Sequence, residues 1–144
     1  MKIDLSDKLT ILIAAKADSE DRLINLGITL DYINFHFNVP IILSEQDTEP
    51  KLKQICKEKN VHHIFYNTDE FFNRQRGVNV CAKQAKTPVI AHYDADILLK
   101  PQQIKGAVKA ILDKSANLVY PYDGNFYDVP KVYHPQIIET KNLN

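Results

Sequence analysis

Neither sign of charge predominates in this chain: 18 Lys and Arg stand against 18 Asp and Glu. Such a balance argues against broad electrostatic capture of nucleic acid or of an acidic membrane surface, both of which call for a basic excess. No apolar run approaches the roughly 20 residues of a membrane-crossing helix, and the opening MKIDLSDKLT has no apolar core of the kind a secretory leader carries. Cysteine is scarce: Cys56 and Cys81 have no CxxC spacing, so they read as buried free thiols in a reducing, cytoplasmic setting. Glycine is scarcer than average, with four residues, and none lies in KADSEDR, the segment directly after the first apolar run. A Walker phosphate loop is therefore absent. Repeats, low-complexity tracts and obvious linkers are also lacking.

What is present is an ordinary globular composition, 44% apolar and 25% charged, over 144 residues. That length fits one domain with a sizeable core. LTILIAA (9–15) is short, apolar and β-branched, and predicts a central strand. Asp18 or Ser19 can cap a following helix, in which Leu23, Leu26, Leu30, Ile33 and Phe37 recur at spacings of three and four. VPIILSE (39–45) predicts a second strand, 48–60 a helix with Pro50 in its first turn, and VHHIFYN (61–67) a third strand. Residues 70–86 predict a helix and TPVIAHYD (87–94) a fourth strand, buried on both faces. A helix from Pro101 to about Ser115 and a fifth strand, ANLVYPY (116–122), complete the pattern. This β-α alternation implies a three-layer α/β/α domain around a mainly parallel, Rossmann-like sheet over 1–122. Residues 123–144, rich in turn residues and aromatics, form an irregular tail.

Ligands of such sheets sit at the carboxyl ends of the strands. Three polar clusters fall there: Lys16 with Asp18, SEQD (44–47), and Asp94 with Asp96. The last pair brings two anions to one spot, which raises the pKa of each unless positive charge intervenes. A divalent cation is one remedy; Mg²⁺ or Mn²⁺ suits carboxylate oxygens and takes further ligands from phosphates. The plainer alternatives are a cap on the helix at Pro101 or simple solvation.

On a continuous helix over 70–86, Arg76, Asn79 and Lys83 share one face, while Arg74 falls with Val78, Cys81 and Ala85 on the core side. Arg74 then reaches a ligand only if the helix begins late or its side chain snorkels out; either Arg could equally be a solvated surface charge. Gly77 marks close packing, a ligand or a tolerated defect. His62 and His63, on opposite faces of one strand, read as structural or surface groups, and His92 as a core histidine. Tyr120, Tyr122, Phe126, Tyr127 and Tyr133 read as packing over the sheet, with stacking on a sugar ring as the alternative.

Taken together, FNRQRGVN followed by PVIAHYDAD resembles the nucleotide-sugar-binding half of GT-A fold glycosyltransferases, most closely family 2 enzymes and galactosyltransferase-like proteins, over about Leu9 to Tyr122. The resemblance implies that Asp94 and Asp96 are a DxD motif, one contacting ribose or the metal shell and the other the Mn²⁺ or Mg²⁺ held by the diphosphate. It implies that Ala14 and Ala15 let the backbone approach the nucleobase. Glu45 and Asp47 would contact uridine or its ribose. Arg74 and Asn79, with Arg76 beside them, would lie near the diphosphate and base.

The expected partners are then a nucleotide sugar, UDP-sugar above all, and a glycan or other hydroxyl acceptor; nucleic acid is not expected. Complete enzymes of this family usually continue well past the present length, through an acceptor half that carries the base. Asp123 and Asp128 are both available as a base and nothing selects between them. The alternatives are a non-catalytic nucleotide-sugar-binding module or fragment, and a nucleotidyltransferase, which is disfavoured because AAKADSEDR has no glycine-rich loop.

Overall fold

The computed structural model describes residues 1–143. In chain order the elements are β1 (Ile3–Asp4), β2 (Leu9–Ala15), α1 (Glu20–His36), β3 (Phe37–Asn38), β4 (Ile41–Asp47), α2 (Lys53–Glu58), β5 (His62–Asn67), α3 (Arg74–Ala82), β6 (Val89–His92), α4 (Pro101–Leu112), a 3-10 turn (Lys131–Tyr133) and α5 (His134–Thr140). Four strands form one all-parallel sheet in the order β5-β4-β2-β6. The short β1 and β3, which carry no sequence signal of their own, pair as a separate parallel ribbon.

β2 lies between β4 and β6 and is buried along nearly all its length, which is why its sequence is a continuous apolar run. On one face, Leu26, Leu30 and Ile33 of α1, Cys56 of α2, and Ile104 and Val108 of α4 pack with Ile11, Ile13 and Leu43. On the other, Val78 and Cys81 of α3 pack with Leu12 and Ile42. The result is a three-layer, Rossmann-like sheet with helices on both faces. α1 and α2 follow the chain as it steps outward from β2 to β5. α3 carries it back across the sheet to β6 on the opposite face, as a constant crossover hand requires.

α1 begins where Ser19, in extended conformation, accepts a hydrogen bond from the Arg22 amide at 3.3 Å, with Glu20 and Asp21 complementing the helix dipole in the first turn. α5 packs along α1 through buried Ile137, and His36 Nε2 lies 2.7 Å from the Lys141 carbonyl oxygen. The α5 segment of the tail is thus packed against the domain through Ile137 and Lys141.

Several elements differ from expectation. The helix expected over 48–60 is confined to Lys53–Glu58. Side chains at the end of β4 occupy the backbone donors ahead of it: Asp47 Oδ1 takes the Thr48 amide at 2.8 Å and Glu45 Oε1 the Leu52 amide at 3.1 Å. The helix expected over 70–86 runs only from Arg74 to Ala82. The strand expected over 87–94, buried on both faces, is four residues long, lies at the sheet edge and leaves Ile90 50% exposed. His92, read as a core histidine, is exposed. Residues 116–122 form no strand. Pro121 has no N–H to give a ladder, and Leu118 and Tyr120 stand in solvent. The tail aromatics do not pack over the sheet either; Tyr122, Phe126, Tyr127 and Tyr133 are all more than half exposed.

Candidate functional site

The order β5-β4-β2-β6 contains one reversal of direction, between β2 and β6. In open α/β sheets ligands sit in the crevice outside the carboxyl ends of the strands at such a point. A cleft of about 150 Å³ lies there. Its lining includes Ala14, Ala15 and Lys16 at the end of β2, Arg22 in the first turn of α1, Arg74 at the start of α3, and Asp94 and Asp96 just beyond β6. Three cations and two carboxylates therefore meet where the topology provides room for a ligand.

Asp94 and Asp96 are held at the rim by the residue before them. Tyr93 is buried, its amide donates to the Leu12 carbonyl at 2.9 Å, and its ring joins the core under α1 and α4. Burial pushes the Tyr93 phenol well above its ordinary range. The acids that follow have no such burial. Asp94 is partly exposed and Asp96 exposed.

Arg74 reaches the cleft because α3 starts with it. Gln46 on β4 is 2% exposed. Its Nε2 donates to the Asn73 carbonyl at 2.8 Å and its Oε1 accepts from the Asn73 amide at 3.1 Å. Asn73 is thereby held extended and caps α3, its Oδ1 accepting from the Arg76 amide at 2.9 Å. One turn in, Gly77 lets the helix lie directly on the sheet. A Cβ there would be 2.7 Å from Ala14 Cβ and 2.9 Å from Gln46 Nε2. Of the readings open for this glycine, close packing is the one observed. With its backbone so placed, Arg74 extends Nη1 to 3.3 Å from Asp94 Oδ1.

The other expected site residues lie elsewhere. Glu45 is fully buried and engaged at both oxygens, with His63 Nε2 at 2.8 Å and the Leu52 amide at 3.1 Å. Asp47, 5% exposed, accepts from Lys51 Nζ at 2.9 Å and from the Thr48 amide. The Lys51 hydrogen bond holds its carboxyl below the usual value. Both acids brace the β4–α2 turn and neither lines the cleft, although Leu52, whose amide Glu45 accepts, forms part of its wall. Arg76 turns outward to Glu70 Oε2 at 2.7 Å and lies over the Tyr66 ring at 5.5 Å. Asn79 is exposed and accepts from Gln75 Nε2 at 3.0 Å. Neither Arg76 nor Asn79 lines the cleft. His62 Nε2 lies 2.8 Å from Gln84 Oε1, so both strand histidines have structural partners.

Sequence reasoning overlooked Arg22 and Gln46. Arg22 could have been found from its place in the first turn of the helix after β2. Gln46 alternates with Ile42 and Ser44 on the α3 face of a strand buried on both sides, and a glutamine there must find partners.

Among the described residues, no three His, Cys, Asp or Glu side chains gather in a way that could hold a metal ion. Asp94 and Asp96 supply carboxylate oxygens only. That donor set fits a hard divalent cation that keeps water and takes its remaining ligands from a phosphate, and does not fit an ion caged by protein alone.

No protein-family model matches the sequence, and no curated protein matches it. Among solved structures, that of S. aureus TarS is similar, with a TM-score of 0.50 and 16% identity, covering 75% of this chain and 20% of that one. At that identity the likeness carries the fold alone, a glycosyltransferase-like α/β arrangement, and does not single out family 2. No helix among the described residues is long and apolar enough to cross a membrane.

Proposed function

We propose that the domain binds a nucleotide-diphospho sugar, a UDP-sugar, in the cleft between β2 and β6, for transfer of the sugar to a hydroxyl acceptor. The observation that carries this reading is the meeting of Asp94, Asp96, Arg74 and Lys16 in one cleft at the reversal point of a glycosyltransferase-like sheet. A diphosphate carries concentrated negative charge and needs cations on more than one side. Lys16 and Arg74 provide that charge from two elements. Asp94 and Asp96 would hold Mn²⁺ or Mg²⁺. When bound, such an ion supplies Lewis-acid stabilisation of the departing diphosphate. Ala14 and Ala15 add no bulk at the end of β2, which leaves the main chain open to a planar base.

Of the two tail acids considered as a base, Asp123 has its carboxyl held below the usual value by hydrogen bonds from Asn125. The reading is tested by incubating the domain with UDP-sugars and Mn²⁺ and following binding by calorimetry and free UDP by chromatography. Metal-dependent binding with UDP release supports the transferase. Metal-dependent binding without release in the presence of varied acceptors assigns a donor-binding module instead. Absence of binding to any UDP-sugar contradicts both.

A further inference from the structure

Arg74 and Asp94 face each other across the cleft with side chains 60% and 42% exposed. The backbone under Arg74 is fixed, since Asn73 is clasped by Gln46 and Gly77 is seated on Ala14. The guanidinium itself is solvated, and its contact with Asp94 Oδ1 at 3.3 Å is a long one. Exposed ion pairs of this kind are weak and readily exchanged. The contact nevertheless engages one of the two carboxylate oxygens that Asp94 could offer a divalent cation, and two cations on one carboxylate repel each other.

Resting on the function proposed above, we propose that Arg74 is a displaceable counter-ion that couples the cation to the diphosphate. In the free protein it neutralises Asp94 and disfavours a bare divalent ion. When a cation arrives with its diphosphate, the guanidinium leaves Asp94 and turns its planar fork of donors onto the phosphate oxygens, a geometry that lysine lacks. Arg22 is less suited to this exchange because its Nε is already 3.0 Å from Asp18. Lys16 adds positive charge to the cleft from the end of β2. The coupling is reciprocal: a diphosphate raises the affinity for the cation by the factor by which the cation raises that for the diphosphate.

The two roles of Arg74 have opposite signs, which makes the idea testable without any turnover. Free Mn²⁺ is followed by electron paramagnetic resonance while it is titrated into the wild type, Arg74→Ala and Arg74→Lys, alone and with inorganic pyrophosphate. Circular dichroism confirms that each variant folds. With Mn²⁺ alone, Arg74→Ala binds about two- to fivefold tighter than the wild type, the range set by loss of an exposed ion pair. With pyrophosphate present the order reverses and Arg74→Ala binds about tenfold weaker, as loss of a hydrogen bond to a charged group implies. Arg74→Lys falls between the two in both titrations. In an Asp94→Asn background, Arg74→Ala no longer changes the affinity for Mn²⁺ alone. If Arg74→Ala leaves the affinity for Mn²⁺ alone unchanged or weakens it, the counter-ion role is wrong, even where the wild type binds Mn²⁺ with pyrophosphate as the site reading requires. If the wild type binds no Mn²⁺ under either condition, the site reading fails and takes this proposal with it.

Discussion

The carboxamide of Gln46 clasps the main chain of Asn73 from both sides, donating to its carbonyl at 2.8 Å and accepting from its amide at 3.1 Å. Two residues 27 apart in sequence thus act as one ladder rung between β4 and the start of α3. The clasp decides where α3 begins, and so where Arg74 stands relative to Asp94. Replacing Gln46 by Leu removes both bonds and leaves two backbone groups of Asn73 without their partner. The expected loss of stability is about 1–3 kcal/mol, measured by urea unfolding. Loss of the α3 start also weakens Mn²⁺-dependent ligand binding. A Gln46→Leu protein as stable as the wild type would show that the clasp contributes nothing.

Gly77 and Gly106 both lie in helices but have opposite surroundings. A Cβ at Gly77 meets Ala14 and Gln46 closer than real Cβ contacts allow, whereas nothing lies within 4 Å of a Cβ at Gly106. Gly77→Ala should therefore destabilise the domain by about 1–3 kcal/mol, the range for overpacking. Gly106→Ala should stabilise it by up to about 1 kcal/mol, the helix-propensity difference. Thermal unfolding of the two variants side by side gives the sign of each. Equal shifts in one direction would contradict the close approach of α3 to β2.

Asp47 gives a pH signature. Lys51's hydrogen bond, followed by the Thr48 amide's, holds its carboxyl below the ordinary value of 3.8 in the folded protein. A depressed folded-state value means that the contact stabilises the fold above the unfolded value, and that the gain disappears as pH falls through the folded one. Asp47→Asn is therefore expected to be less stable than the wild type at about pH 6, with the gap closing as pH falls below about 4. Urea midpoints across that range check it. A gap independent of pH would show that the carboxylate charge is not involved.

Both thiols should be silent in the native protein. Burial pushes Cys56 up to about 12 and Cys81 up to about 11, so almost no thiolate exists near neutral pH. Reaction with a disulfide reagent at about pH 8 is expected to be negligible over minutes and to reach both cysteines at once in denaturant. Rapid native labelling of either residue would place it outside the core.

How much of this could be seen in the sequence depended on whether the deciding contact was local. LTILIAA coincides with β2 residue for residue, because a strand buried on both faces must be a continuous apolar run. Ser19 was legible as one of two candidate caps, since capping acts within three residues. β6 was legible as a strand and not as an edge, because pairing partners leave no local mark. Residues 116–122 have the composition of a strand but form none here. Asp94 and Asp96 were legible by position, as acids just after a strand. Glu45 and Asp47 stand at the end of β4, yet their partners His63, Leu52 and Lys51 turn them to structural work. Arg74 hinged on the start of α3, which a glutamine on another strand decides.

The central claim is that the acid pair at the rim of β6 anchors a diphosphate through a divalent cation. Calorimetric titration of UDP in the presence and absence of Mn²⁺, on the wild type and on Asp96→Ala, tests it most directly. The account predicts binding to the wild type that requires Mn²⁺ and that Asp96→Ala abolishes. Equal UDP affinity in the wild type and Asp96→Ala, or binding indifferent to Mn²⁺, would contradict it.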